Sequence, residues 1–152
     1  MSAFVLNPKD PNWAAEHMRR YLATDGEDGY YVDFTRIGGP PLVPTLILTA
    51  TGRRTGRPQA LPLIFGRAGK DYVLVASKGG APEHPGWYRN MLANPDVEVQ
   101  VGTKRMKARA RTTAGEERSR LWKKALEFWP PYADYQLKTE REIPVVVLDP
   151  VH

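Results

Sequence analysis

Residues 45–67, TLILTATGRRTGRPQALPLIFGR, decide the fold. Thr45–Thr51 is a continuous apolar run of the kind a buried strand presents. Gly52–Pro58 reads as a turn. Gln59–Arg67 reads as a second strand, in which Pro62, with no N–H to give a ladder, implies an edge or a bulge. Downstream, Ala68-Gly69-Lys70-Asp71 makes a hairpin turn into a third strand, Tyr72–Ser77. Gly79-Gly80 loosens the chain. Pro85–Leu92 reads as a short helix opening on a proline, where the missing N–H costs nothing, and Asn94-Pro95 ends it. Val97–Val101 and Arg105–Thr112 form a hairpin around Gly102-Thr103. Thr113 and Glu116 fit a capping box for a helix whose buried stripe is Leu121, Trp122, Ala125, Leu126 and Trp129. Pro130-Pro131 stops that helix, and Pro144–Asp149 is a closing strand.

Upstream, Asp10–Ala23 predicts a helix, with Trp13, His17, Met18 and Tyr21 on one stripe. Thr24–Gly29 is an acidic loop. Tyr30–Ile37 reads as extended, and Gly38-Gly39-Pro40-Pro41 breaks it. At least six short strands with two or three helices at the margins predict an α+β domain built on a small β-barrel.

Bulk properties exclude more than they choose. With 152 residues, 41% hydrophobic and 26% charged, the chain suits one globular domain. Lys and Arg exceed Asp and Glu by 22 to 17, a net charge of +5 that attracts anions without saying which. There is no cysteine, so disulfides, thiolate zinc sites and cysteine nucleophiles are excluded. No signal peptide is evident at the N-terminus, and no apolar run approaches the ~18 residues of a membrane span. A cytoplasmic location is compatible with this, and association with a membrane surface stays open. His17, His84 and His152 are too scattered to suggest a metal site. No G-x-S-x-G elbow, P-loop ending or G-x-G-x-x-G fingerprint is present.

Five constellations could carry chemistry. In Thr51-Gly52-Arg53-Arg54-Thr55-Gly56-Arg57, two glycines permit a tight turn and close approach, and three arginines offer forked donors for phosphate or carboxylate. Read alone, composition favours a solvated charged turn, since such turns are common. Ser77-Lys78-Gly79-Gly80 at a strand end suits an anionic or flat ligand, or is another surface turn. Trp87-Tyr88-Arg89-Asn90 could wall a ring or enter the core. Trp129-Pro130-Pro131-Tyr132-Ala133-Asp134-Tyr135 could rim a pocket or form a satellite hydrophobic cluster. Arg105, Lys107, Arg109 and Arg111 share one strand face opposite Met106, Ala108 and Ala110, which suits a solvated face more than a nucleic-acid track.

The order of LILTATGRRTGRP, VASKGG, HPGWYRNMLANP, VEVQV, WPPYADY and REIPVVVL resembles the deazaflavin-dependent nitroreductase family, over roughly Leu46 to Pro150. The resemblance implies a split β-barrel of the flavin-binding kind, with about six antiparallel strands and peripheral helices. It implies reduced coenzyme F420 (F420H2) as hydride donor to an electron-poor small molecule: a quinone, an activated alkene or a nitroaromatic. By the same resemblance, Arg53, Arg54 and Thr55 would grip the coenzyme phosphate. Gln59, Ala60, Leu61, Pro62, Leu63 and Ile64 would lie along the coenzyme. Val75, Ala76, Ser77 and Lys78 would meet the ring system, and Gly86, Trp87, Tyr88, Arg89 and Asn90 would continue the wall. Trp129, Tyr132 and Tyr135 would form the substrate rim, with Ser77, Tyr132 and Tyr135 as catalytic donors. A bound carrier brings its own reactivity, which accounts for the lack of a triad. No metal is expected. Residues 1–44 would be a helix and arm covering the site, and 45–152 the coenzyme-binding part of a single domain.

Two positions depart from the family: Arg54 stands where Lys is frequent, and Trp129 where some members carry Tyr. The first third of the chain is weakly matched. Alternatives are a flavin mononucleotide enzyme on the same fold, a basic nucleic-acid-binding module using Arg105 to Arg111, and a coenzyme-binding or membrane-peripheral protein without turnover. Oligomeric state is left open.

Overall fold

The computed structural model describes residues 2–151. Its elements are β1 (Ser2–Val5), α1 (Trp13–Ala23), β2 (Asp28–Asp33), β3 (Val43–Thr51), β4 (Pro58–Ile64), β5 (Gly66–Ala68), β6 (Asp71–Val75), α2 (Gly86–Ala93), β7 (Asp96–Val101), β8 (Lys104–Thr112), α3 (Gly115–Phe128), α4 (Tyr132–Leu137) and β9 (Val145–Pro150). Short 3-10 turns lie at Thr35–Ile37 and Lys78–Gly80.

The barrel closes within the segment that decides the fold. β3 pairs antiparallel with β4 from Thr45↔Ile64 to Thr51↔Pro58, and with β7 on its other side. From β7 the ladder runs through β8, β9 and β6 to β5, each pair antiparallel. The expected single strand Gln59–Arg67 is therefore two, separated by Phe65, whose N–H donates to Pro44 O at 3.3 Å. One half pairs with β3 and the other with β6, so the chain itself bridges the two ends of the ladder. β4 pairs with β3 alone, and an edge strand is where Pro62 is tolerated. The N-terminal arm extends the same sheet: β2 pairs with the start of β3, and β1, which has no sequence signature, runs parallel to β2.

Alternation sorts the side chains. Leu46, Leu48 and Ala50 of β3, Val97 and Val99 of β7, and Ala108 and Ala110 of β8 point into the barrel, where Trp87, Tyr88 and Met91 of α2 join them. On the outer face of β8, Arg105 pairs with Asp25 (3.0 Å), Arg109 with Asp96 (3.4 Å) and Arg111 with Glu117 (2.6 Å). That row is an ion-paired, solvated strand face. α3 packs Leu121 against the outward Val73, Val145 and Val147. Its expected capping box does not form. The register makes Thr113 a continuation of the ladder, so its N–H and its hydroxyl both donate to Val145 O at 2.9 Å, and Ala114 is the N-cap. Pro130-Pro131 ends α3 as expected but also starts α4, since proline is well placed at a helix N-terminus.

α1 is pinned to the barrel by Tyr21. Its buried hydroxyl donates to Thr45 O (2.9 Å) and accepts from the Gly102 N–H (2.8 Å), and burial pushes the phenol up to about 12. Tyr21→Phe leaves both backbone groups unpartnered, so a loss of ~1–3 kcal/mol is expected, read as a lower midpoint in urea or thermal unfolding. None of the described helices is long and apolar enough to cross a membrane.

Candidate active site

The arginine loop joins β3 to β4. Gly52 N–H donates to Arg57 O, and Gly56 N–H to Gly52 O, both at 2.8 Å. Gly56 has φ +71°, a left-handed conformation open to glycine at no steric cost. At Gly52 a Cβ would lie 2.8 Å from Thr55 Oγ1 and 2.9 Å from Gln59 Nε2, so a larger residue there would push both side chains out of their places in the loop. Buried Asn90 of α2 is the strut beneath. Its Oδ1 accepts from Arg53 N (3.1 Å) and Arg53 Nη1 (2.8 Å), and its Nδ2 donates to Gln59 Oε1 (3.0 Å). Arg54, Thr55, Arg57 and Arg89 are exposed. Among the described residues, no carboxylate lies within ion-pair distance of Arg53, Arg54, Arg57 or Arg89, whereas Arg19, Arg20, Arg105, Arg109 and Arg111 all have one. Uncompensated guanidinium groups on a rigid turn are the donor set that phosphate and carboxylate match.

β4 leads from this loop into a cleft of about 390 Å³. Leu61, Pro62, Leu63 and Ile64 form one wall of it, and Arg57 to Leu61 is roughly 13 Å at the rise of a strand. Leu74, Val75 and Ser77 end β6 at the cleft, followed by Lys78 and Gly79, and then by Pro85 and Trp87 at the start of α2. Trp129, Tyr132 and Tyr135 face it from the α3–α4 corner. Trp13 and His17 of α1, Val32 and Phe34 around β2, and Thr45 of β3 complete it. Phe34 stacks edge-on against Trp129 at 4.7 Å, so the arm and the corner meet over the cleft.

The expected site residues therefore separate into two groups, with a few outside both. Leu61, Pro62, Leu63, Ile64, Val75, Ser77, Lys78, Trp87, Trp129, Tyr132 and Tyr135 line the cleft. Arg53, Arg54, Thr55, Gln59, Arg89 and Asn90 belong to the loop end, with Gln59 and Asn90 engaged in bracing it. Ala60 lies outside the cleft, in a separate hollow beside Ile47 and Thr49. Ala76 and Tyr88 are in the barrel core, where Tyr88 Oη bonds Thr112 Oγ1 at 2.8 Å. Gly86 is the first residue of α2. Sequence reasoning left Trp13, His17, Val32, Phe34 and Thr45 out of the site. The helical stripe did contain Trp13 and His17, but a stripe does not say which surface it meets.

Three hydroxyls carry the polar chemistry of the cleft. Ser77 Oγ, Tyr132 Oη and Tyr135 Oη make no hydrogen bond with other described residues, although Ser77 and Tyr132 are buried. Burial pushes the Tyr132 phenol far up, so it stays protonated and can donate. His17 is committed elsewhere: its Nε2–H donates to Gly29 O at 2.8 Å, and burial lowers its pKa, keeping the ring neutral. No cluster of metal-ligating side chains occurs among the described residues, and His152 lies outside them. The arrangement can hold a long ligand, anionic at one end and flat at the other, beside a second apolar ring within reach of hydrogen-bond donors.

Comparison with known proteins agrees with this geometry. A family model described as F420H(2)-dependent quinone reductase matches residues 13–150, so the similarity extends upstream of Leu46 to the start of α1. An F420H(2)-dependent quinone reductase of Mycobacterium tuberculosis (strain H37Rv) is 43% identical over 135 residues, 87% of this chain and 86% of the relative. The solved structure of an F420-H2 dependent reductase, FDR-A, is 46% identical with a TM-score of 0.65, covering 69% of this chain and 93% of that one. A chain from a domain-swapped dimer is 40% identical with a TM-score of 0.67, covering 91% and 98%. By sequence, by barrel and by the extent of both matches, the chain belongs to the F420H2-dependent quinone reductase family.

Proposed function

We propose that this protein is an F420H2-dependent oxidoreductase that reduces a quinone to a hydroquinone. One observation carries the proposal: a rigid turn whose arginines have no carboxylate, and an apolar cleft with three hydroxyls that have no partner, among the described residues, are joined by a single strand, β4. The residues fit a phosphate-bearing deazaflavin. Arg53, Arg54 and Thr55 would hold the phosphate, and Leu61 to Ile64 and Ser77, which line the cleft, would receive the rest of the molecule. When bound, the reduced deazaflavin supplies the hydride, so the protein needs no nucleophile of its own.

The chain's own residues orient, exclude water and place donors. Trp13, Phe34 and Trp129 enclose the apolar acceptor, which favours a quinone over a charged or strongly hydrated substrate. Hydride addition leaves negative charge on a quinone oxygen, and the second hydrogen of the hydroquinone arrives as a proton. Ser77, Tyr132 and Tyr135, whose hydroxyls have no other partner among the described residues, would donate to that oxygen, and a preorganised donor in a water-poor cleft acts most strongly on developing charge.

Parallel titrations with F420 and with flavin mononucleotide, followed by fluorescence, test the coenzyme. Saturable binding of F420, at least tenfold tighter than flavin mononucleotide, is expected. Tighter binding of flavin mononucleotide would transfer the fold to flavin chemistry.

A further inference from the structure

Arg141 heads the REIPVVVL stretch and has no place in the site described so far. It lies in the connection between α4 and β9, yet its guanidinium reaches across to the segment leaving β6. Nε donates to Ala81 O (2.9 Å), Nη1 to Ala76 O (3.2 Å) and His84 Nδ1 (3.0 Å), and Nη2 to Ser77 O (2.7 Å). No carboxylate lies within ion-pair distance of it among the described residues. Its own backbone is fixed from α4 by Gln136, whose Nε2 donates to Arg141 O (2.8 Å) while its Oε1 accepts from Ile143 N (3.0 Å).

The segment it clasps needs holding. Lys78, Gly79 and Gly80 have φ of +46°, +65° and +86°, three left-handed residues in a row, of which Lys78 carries a Cβ that disfavours the conformation. Such geometry persists where neighbours over-determine it. Gly80 backs onto α4 so closely that a Cβ would lie 2.6 Å from Tyr135 O. One cation thus ties the corner bearing Tyr132 and Tyr135 to the turn bearing Ser77 and Lys78.

His84 completes the clasp as an acceptor, which requires a neutral ring with its proton on Nε2. Arg141 faces it from the connection, and Arg89 and Tyr88 face it from α2, the Tyr88 ring 5.0 Å away. Glu83, on its own segment, is paired with Lys78 at 2.9 Å. Burial, then Arg141 and Arg89, hold the imidazole below its ordinary pKa.

On the reading of the cleft as the coenzyme site, we propose that Arg141 is its positioning residue: the guanidinium, accepted by three carbonyls and His84, fixes the left-handed turn that presents Ser77 and Lys78, and the clasp opens when His84 takes up a proton. Because the folded pKa of His84 is depressed, the clasp is complete above the ordinary imidazole range and is lost as pH falls through the folded value.

The test uses the full chain, with Arg141→Gln, Arg141→Lys and His84→Asn. In His84→Asn the amide oxygen can replace Nδ1 as acceptor without titrating. Readouts are the F420 dissociation constant against pH and hydrogen exchange of the Gly80 and Ala81 amides, which donate to Ser77 O (2.9 Å) and Lys78 O (3.1 Å). Arg141→Gln is expected to weaken binding at least tenfold and to speed exchange at both amides, with Arg141→Lys intermediate. His84→Asn is expected to match the parent at neutral pH and to lose the acid limb. A folded Arg141→Gln protein with parental affinity and exchange would overturn the proposal, as would an acid limb retained in His84→Asn. If Arg141→Gln fails to fold, the other two variants decide. Failure of the parent to bind F420 would remove the coenzyme reading, while exchange at Gly80 and Ala81 would still decide the clasp.

Discussion

Replacing Arg53 and Arg54 together with alanine is expected to weaken F420 binding by about two to four orders of magnitude, because each hydrogen bond to a charged group contributes roughly 1.5–3 kcal/mol. The two arginines do not act alike. Arg54 is exposed and makes no bond with other described residues, so Arg54→Ala removes a phosphate donor and little else. Arg53 also donates its backbone N–H and its guanidinium to Asn90 Oδ1; alanine keeps the first bond and loses the second, so the loop is held less firmly as well as losing a phosphate donor. The double variant should therefore lose less than the sum of the singles, because loosening the loop already costs part of the Arg54 contact. Fluorescence titration measures all three. Parental affinity in the double variant would show that the phosphate lies elsewhere.

Tyr132→Phe is expected to lower kcat by about a hundredfold with little change in KM, the mark of a donor that acts on charge appearing only in the transition state. The substitution is clean for a structural reason. Tyr132 is packed among Trp122, Phe128 and Tyr135, and its hydroxyl holds no other described residue, so the ring can stay while the donor goes. Unfolding temperature should not fall. Anaerobic steady-state kinetics with a soluble quinone measure the effect. A kcat equal to the parent's would pass the donor role to Ser77 or Tyr135.

Both predictions rest on residues that were legible before the structure, for different reasons. The loop was visible as two glycines and three arginines between strands, but its composition alone spoke for an ordinary turn. What changed its meaning was the order of motifs around it and then the lack, among the described residues, of any carboxylate beside its arginines. β8 was legible as a strand, because strict alternation of cations with Met106, Ala108 and Ala110 has the period of a strand, while the use of its cationic face was settled only by the ion pairs of Arg105, Arg109 and Arg111. Gln59–Arg67 was legible as extended but not as two strands, since periodicity does not record a change of partner at Phe65. Thr113 obeyed the local rule for a helix cap, and the β8–β9 register took its hydroxyl instead. Asn90 was expected to touch ligand, and the structure uses it to brace Arg53 and Gln59. The N-terminal helix and arm were expected to cover the site, but which of their residues would line the cleft was out of reach. Trp13, His17 and Phe34 approach Trp129 and Thr45 only through tertiary packing, and β1 is four residues with no pattern of its own.

The most direct test is anaerobic: reduced F420 is mixed with a soluble quinone, with and without the protein, and the appearance of oxidised coenzyme and hydroquinone is followed. Protein-dependent oxidation by several orders of magnitude above the uncatalysed rate is predicted, one hydroquinone formed per coenzyme oxidised. A rate no faster than without protein, or turnover obtained only when reduced flavin mononucleotide replaces F420, would contradict it.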